Sequence, residues 1–157
     1  MKKIMVIKSL TIACFAMMLL AVTSCSKPDD RDQFEGSYSI DATGSITVTA
    51  YGHSETSSYN FDNEPMTITK VSSSETEVLV SGFMDQIATV QGNTIFFDSF
   101  TKTITQDGAA VTLTFDVKQG TLNGNILTFN IDLSGNATYM GYTFPATGIL
   151  SCVATKK

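Results

Sequence analysis

The carboxylates are the residues of this sequence that could carry out acid and base chemistry. Hydrolysis of a glycosidic bond needs two of them about 5 to 10 Å apart across a cleft, one with a raised pKa. Asp85, Asp98, Asp116 and Asp132 occur singly, on polar faces or beside turns. We therefore expect no converging pair of acids, and a protein that is not an enzyme. Glycoside hydrolysis remains the third hypothesis for the function.

Ligands for a metal ion and partners for a reactive cysteine are scarce. The chain has one His, His53, and three Cys, of which Cys152 is the one expected in the folded body. Zinc sites use several Cys or His ligands, so we predict no metal site and no cofactor. Cys152 lies in an apolar strand pattern, which favours a buried thiol. Asp29, Asp30 and Asp32 lack the Gly and the distal Glu of a calcium loop.

The charge of the chain excludes one class of partner. Its 157 residues, enough for one domain, carry ten Lys and Arg against fifteen Asp and Glu. Lys2, Lys3 and Lys8 lie in the first eight positions, so the rest is more acidic still. A nucleic-acid surface needs clustered Lys and Arg. We therefore expect no nucleic-acid partner.

The first residues have the order of a secretory signal. Residues 1–8 are basic, residues 10–22 carry no charge, and Val22-Thr23-Ser24 brings small residues up to Cys25. A transmembrane anchor is the alternative, but a span needs roughly 20 apolar residues. The pattern predicts a removed signal peptide over residues 1–24.

Cys25 is the predicted lipidation site. The run Leu20-Ala21-Val22-Thr23-Ser24-Cys25 resembles the lipobox of bacterial lipoproteins, in which the Cys is acylated. Acyl chains contribute about 0.8 kcal/mol per buried methylene, so several of them hold a protein on a membrane. Residues 25–33 are polar and contain Pro28, which predicts a lipidated flexible tether. Asp29-Asp30 is similar to the acidic export signal of Bacteroidetes surface lipoproteins. That similarity implies the outer membrane and the cell surface; a periplasm-facing lipoprotein is the alternative.

Period-two alternation dominates the chain from residue 34 onward and predicts antiparallel strands. Turn residues such as Asn123-Gly124 and Gly135-Asn136 separate the apolar runs. The predicted strands lie near residues 36–42, 44–51, 56–62, 65–71, 75–81, 86–91, 94–105, 109–118, 121–133, 137–144 and 147–155. Some pairs are expected to be one bent strand, with a bulge at Gly44.

The fold class that follows is all-β. Because every connection is short, neighbours in sequence should be neighbours in the sheet. We predict that residues 34–157 form an antiparallel up-and-down β-barrel of about eight to ten strands, since closure removes the sheet edges. A β-sandwich is the alternative.

The beginning and end of this region resemble a known class of domain. Phe34-Glu35-Gly36-Ser37-Tyr38, the hairpin ladder and the final strand at Gly148-Ile149-Leu150 look like the lipocalin-like, or calycin-like, β-barrel domains of Bacteroidetes outer-membrane lipoproteins. Gly36-Ser37-Tyr38 is similar to the Gly-x-Trp motif of lipocalins, with Tyr38 in place of the Trp. The resemblance implies a barrel in the cell envelope.

Aromatic side chains are the candidate ligand contacts, because flat rings stack on apolar molecules and on sugar rings. Adjacent Phe96 and Phe97 must point to opposite faces of a strand, which leaves one of them outside the interior. The candidate ligand-binding residues are Tyr38, Phe96, Phe97, Phe100, Tyr139 and Tyr142.

The leading hypothesis is a non-catalytic cell-envelope lipoprotein whose lipocalin-like barrel binds a small apolar or carbohydrate ligand. The alternative is a structural or protein-interaction accessory module of a surface complex, with a filled core. In both hypotheses the chain meets the membrane through the lipid on Cys25.

Overall fold

The computed structural model describes residues 28–106 and 109–157. The predicted signal peptide over residues 1–24, the lipidation at Cys25 and the start of the tether lie outside the described residues. Within them the chain forms a short 3₁₀ turn, Asp30–Gln33, followed by ten strands. The strands are β1 (Gly36–Ala50), β2 (His53–Lys70), β3 (Glu77–Gly82), β4 (Gln86–Gln91), β5 (Thr94–Phe97), β6 (Phe100–Gln106), β7 (Ala109–Val117), β8 (Gly120–Asn123), β9 (Ile126–Tyr139) and β10 (Tyr142–Lys156).

Eight of the strands close into a ring. They follow one another in the order β1, β2, β3, β4, β5, β8, β9 and β10, and β10 pairs with β1. Every pairing is antiparallel, so the prediction of an all-β, barrel-like fold is confirmed. The β6–β7 hairpin departs from the up-and-down order. It leaves the ring between β5 and β8, and β7 pairs with β9.

The length of β9 explains why the β6–β7 hairpin departs from the up-and-down order. Its first residues, 126–128, pair with β8, and residues 131–139 pair with β7 on the same side. Both neighbours therefore fit side by side along one strand. Gly135-Asn136, predicted as a turn, lies inside β9, whereas the break at residues 140–141 separates β9 from β10.

Other predicted boundaries were partly wrong. The predicted strand 94–105 is two strands, β5 and β6, and Asn123-Gly124 interrupts the predicted strand 121–133 as a turn between β8 and β9. Gly44 is not a bulge, because it pairs in register with Tyr59 on β2. The register shifts instead between Ile40 and Ala42. Gly44 is required for another reason: a Cβ atom there would lie 1.9 Å from the Ile149 carbonyl oxygen.

Beyond the ring, the long strands continue as an open sheet that we call the extension. It consists of residues 43–50 of β1, 53–61 of β2, 131–139 of β9 and 142–150 of β10, together with β6 and β7. Its strand order is β2, β1, β10, β9, β7 and β6. The outer face carries Thr and Ser, including the hydrogen-bonded pairs Thr47–Thr56 at 2.8 Å and Thr103–Thr112 at 2.9 Å. On the central strands β1, β10, β9 and β7, the inner face continues the apolar lining of the ring.

The interior of the ring is filled by side chains. Alternate residues of each strand point inward and form one hydrophobic cluster. The largest of them are fully buried: Tyr38, Phe34, Ile40, Met66, Ile68, Ile95, Leu127, Ile131, Val78, Val80 and Cys152. We call the end of the ring at residues 34–38 the closed end, because Phe34 lies inside it with no exposed surface.

The 3₁₀ turn is fixed to the closed end. Arg31 donates to the carbonyl oxygens of Val71 and Ser74, and the Gly92 amide donates to Asp30 at 2.8 Å. Lys156 donates to the Gln33 carbonyl at 3.0 Å. Residues 30–33, predicted as part of a flexible tether, are therefore part of the folded body.

Candidate functional site

The six predicted ligand contacts do not form one site. Tyr38 is a core residue with 1% of its surface exposed, and its hydroxyl donates to the Phe34 carbonyl at 2.7 Å. Burial raises the pKa of Tyr38 to about 12. Tyr139 and Tyr142 are exposed and pair with each other across the tip of the extension. Tyr38 and these tyrosines thus lie at opposite ends of the long strands.

The three phenylalanines near the middle of the chain have different environments. Phe96 is 40% exposed on the outer face, whereas Phe97 packs inward with its ring 5.5 Å from that of Phe129. The two rings do point to opposite faces, as expected. Phe100 stacks on Phe115 with ring centroids 4.7 Å apart and packs against the core. Phe97 and Phe100 therefore have mainly packing roles.

A different aromatic group lies where the ring opens into the extension. Tyr59 and Phe61 are nearly parallel, with centroids 6.5 Å apart and an interplanar angle of 9°. Phe83, from the connection between β3 and β4, meets Phe61 edge to face at 6.2 Å. We call Tyr59, Phe61 and Phe83 the aromatic platform. Tyr59 is 42% and Phe61 is 36% exposed, so both rings are open to a ligand.

The platform belongs to the inner face. Phe61 lies directly opposite Ala42, and Tyr59 lies opposite Gly44, on the neighbouring strand. Ala42 is fully buried, and residues directly opposite each other point to the same side of a sheet.

Polar side chains continue the platform along β2. His53, Glu55 and Ser57 alternate with outward-facing residues, so they share the face of Tyr59. All three are exposed. Within the described part of the chain their side chains make no hydrogen bond or ion pair. Ser57 thus occupies the inward position next to Tyr59, and Glu55 and His53 follow farther along the same face, about 13 and 20 Å away at 3.3 Å per residue.

A second aromatic group occupies the tip of the extension. Tyr51 meets Phe144 at 5.5 Å and Tyr142 at 6.4 Å, both edge to face. Tyr51 is 77% exposed, and its φ of 51° places it in a tight turn with Gly52. The tip is therefore a second exposed aromatic surface, beyond the platform on the same long strands.

Two of the four carboxylates do come together, contrary to the expectation that all are isolated. Asp116 and Asp132 are directly opposite on β7 and β9. Lys118 bridges them, at 2.5 Å from Asp116 and 3.2 Å from Asp132. Its hydrogen bond to Asp116 raises the pKa of Lys118. Because one ammonium group pairs with both acids on the exposed outer face, the three side chains form an ion bridge between β7 and β9. Asp85 accepts from the Gly82 amide in a turn.

The thiol of Cys152 is structural. Cys152 is 2% exposed, and burial raises the pKa of its thiol to about 12, which makes it a poor nucleophile. In residues 28–106 and 109–157 no three His, Cys, Asp or Glu side chains are placed to hold a metal ion. The same residues include no helix with the length and hydropathy of a membrane span.

An open groove of about 460 Å³ lies at the closed end, beside the 3₁₀ turn. Of its polar lining, Asp29 and Arg31 pair with each other, and Lys70 lies next to them, 3.4 Å from Asp29. The Arg31 guanidinium, hydrogen-bonded to Asp29, holds the pKa of that carboxyl well below its usual range. Lys70 donates to Asp32, and this bond raises the pKa of Lys70. The groove is thus the contact region between the 3₁₀ turn and the ring.

Comparison with models of known protein families gives no match for this chain, and comparison with curated proteins gives none. The function must therefore be inferred from the geometry of the molecule.

Sequence reasoning missed the platform. The predicted strand 56–62 contains Tyr59 and Phe61 two residues apart, and period-two alternation alone places them on one face. That signal was present in the sequence. Phe83 has no such signal, because its position depends on the connection between β3 and β4.

Proposed function

We propose that this protein is a non-catalytic lipoprotein of the outer membrane, anchored through Cys25, that binds a carbohydrate ligand on the aromatic platform. The exposure of the parallel rings of Tyr59 and Phe61 at the mouth of a filled ring carries this proposal. A lipocalin-like barrel that enclosed its ligand would need a cavity in the interior. The inward side chains fill that space, so the mouth is the better candidate.

The surroundings of the platform favour a carbohydrate over a purely apolar ligand. A small apolar molecule is held by an enclosed cavity that buries most of its surface. The platform is open, and Ser57, at the next inward position of β2, supplies a donor and an acceptor near the rings, with Glu55 and His53 farther along the same face. A sugar ring has an apolar face for stacking and hydroxyl groups for hydrogen bonds. Both needs are met along one face of β2.

An anchor at Cys25 would turn the platform away from the membrane. Asp29, four positions after Cys25 in sequence, is already held at the closed end by Arg31. From there β1 runs for 15 residues toward the tip, a path of about 45 Å at 3.3 Å per residue. The closed end would therefore face the lipid, and the platform would meet ligands that approach from the surroundings.

The absence of catalysis is part of the proposal and is supported by the carboxylates. Asp116 and Asp132 share one lysine on an exposed face rather than flanking a cleft. The thiol of Cys152 is buried, and His53 lies on the far part of β2.

Titration of the protein with a panel of oligosaccharides, measured by calorimetry, tests the ligand. We expect binding that weakens about tenfold in Tyr59→Ala and in Phe61→Ala, because each change removes a stacking contact of about 0.5–1.5 kcal/mol together with the area it buries. Phe96→Ala is the matched control, since Phe96 is as exposed but lies on the outer face. No binding to any glycan, or equal loss in the control, would refute the proposal.

A separate experiment tests the anchor. Replacing Cys25 with Ser removes the only thiol available for acylation at that position, so the protein should appear in the soluble fraction. Retention of Cys25→Ser in washed membranes would contradict lipid anchoring. It would not bear on ligand binding by the platform.

A further inference from the structure

The extension has two free edges. Residues 53–61 and 64 of β2 pair with β1 alone, whereas residues 66–70 pair with β3. On the other side of the extension, β6 pairs with β7 alone. Among the described residues, both edges therefore present backbone amide and carbonyl groups without a neighbouring strand. Such edges are templates for pairing with another strand.

The two edges carry opposite charge. Residues 53–64 contain Glu55, Asp62 and Glu64 and no Lys or Arg. In β6, Lys102 is the one charged residue. Pairing of β2 with β2 would bring acids together, and pairing of β6 with β6 would bring lysines together. The charges thus disfavour each edge pairing with itself and permit the two edges to pair with each other.

Glu55 and Lys102 also lie at the same level along the strands and on the same face of the extension. Glu55 pairs with Val48 on β1, and Lys102 pairs with Leu113 on β7. The pairings between these strands link both positions into a single row across the extension. The row consists of Glu55, Val48, Ala146, Gly135, Leu113 and Lys102. A second copy placed beside the first, without a shift along the strands, would set its Lys102 opposite Glu55.

Strand direction fits the same arrangement. Successive antiparallel pairings from β2 to β6 make these two strands run in opposite directions. Two copies standing upright side by side therefore bring β2 and β6 together as an antiparallel pair. Their inner faces stay on one side of the continuous sheet. Copies anchored at their closed ends to one membrane would have this orientation.

We propose that the free edges of the extension join copies of this chain, with β2 of one copy hydrogen-bonded to β6 of the next and Glu55 opposite Lys102. The neighbouring row sets Thr56 opposite Thr101 on the outer face, where both already belong to threonine pairs. Tyr59 and Phe61 lie beyond the start of β6, so the contact leaves both rings open and takes Glu55 from the polar side chains that follow them along β2. The association is head to tail and builds rows rather than closed two-fold dimers.

Disulfide cross-linking in membranes tests the contact. Two tagged forms of the full chain, Glu55→Cys and Lys102→Cys, are expressed together and oxidised. Directly opposite residues have Cβ atoms about 4.5–5.5 Å apart, within reach of a disulfide with slight adjustment. We expect a linked dimer carrying both tags, and none when either form is expressed alone. Ser54→Cys with Lys102→Cys is the control, because Ser54 adjoins Glu55 but points to the outer face, where it bonds to Thr49.

Charge reversal supplies an independent readout. In sedimentation of the detergent-extracted full chain, Glu55→Lys should weaken self-association about fivefold, as expected for an exposed ion pair turned into a repulsion. Adding Lys102→Glu should restore it. A monomer at every concentration, equal cross-linking in the Ser54→Cys control, or cross-linking within one copy that carries both cysteines would overturn the proposal.

Discussion

Replacing Tyr38 with Phe removes one hydroxyl group from the closed end and leaves the shape of the side chain unchanged. Tyr38 is 1% exposed, and its hydroxyl donates to the Phe34 carbonyl at 2.7 Å. No other hydrogen bond reaches that carbonyl from the described residues. The change would therefore leave a buried acceptor unpaired, which costs about 1–3 kcal/mol.

Urea denaturation followed by circular dichroism measures this loss. A domain of this size has a slope of about 2 kcal/mol per molar urea, so a loss of 2 kcal/mol lowers the midpoint by about 1 M. The slope itself should not change. Tyr142→Phe is the matched control: Tyr142 is 61% exposed, and its hydroxyl makes no hydrogen bond within the described chain. A midpoint for Tyr38→Phe equal to that of the wild type would refute the role of this bond in fixing the closed end.

Three further predictions concern stability. Gly44→Ala should destabilise the protein by more than about 3 kcal/mol, because its Cβ atom would lie 1.9 Å from a β10 carbonyl oxygen. Gly92→Ala is the control in the same urea assay. Gly92 has open space around it and a φ of 57°, so this change should cost only about 1 kcal/mol. Burial raises the pKa of Cys152 from 9.0 and that of Tyr38 from 10.0, each to about 12. Since the unfolded chain loses these protons first, stability should be full below pH 9 and should fall toward pH 12 by up to about 1.4 kcal/mol per pH unit for each group. Melting curves that stay constant over this range would contradict that reasoning. Lys118→Met should change stability by less than about 1 kcal/mol, because its ion pairs are exposed; a larger loss in urea would show that the bridge between its two acids matters more than its exposure implies.

The alternation of apolar residues was sufficient to predict an all-β fold and its approximate strands. It could not reveal how far the strands continue. Gly135-Asn136 has the residues of a turn, but β10 and β7 pair with β9 on both sides of it and keep the strand extended. Conversely, Asp98-Ser99 separates β5 from β6, although the pair contains no Gly or Pro.

The candidate site was harder to predict than the fold. Aromatic residues close in sequence, such as Phe96 and Phe97, were separated by the two faces of their strand. The platform joins Tyr59 and Phe61 to Phe83, which belongs to a different hairpin. Period-two alternation was sufficient to place Tyr59 and Phe61 on one face. The third ring depends on tertiary packing, which no local pattern encodes.

The carbohydrate-binding proposal is tested most directly by NMR of the aromatic rings during titration with the oligosaccharide that binds best. We expect the ring protons of Tyr59 and Phe61 to shift progressively and to saturate with the calorimetric affinity. The ring protons of Phe96, on the outer face, should stay unchanged. Saturable binding that leaves Tyr59 and Phe61 unshifted would contradict the account.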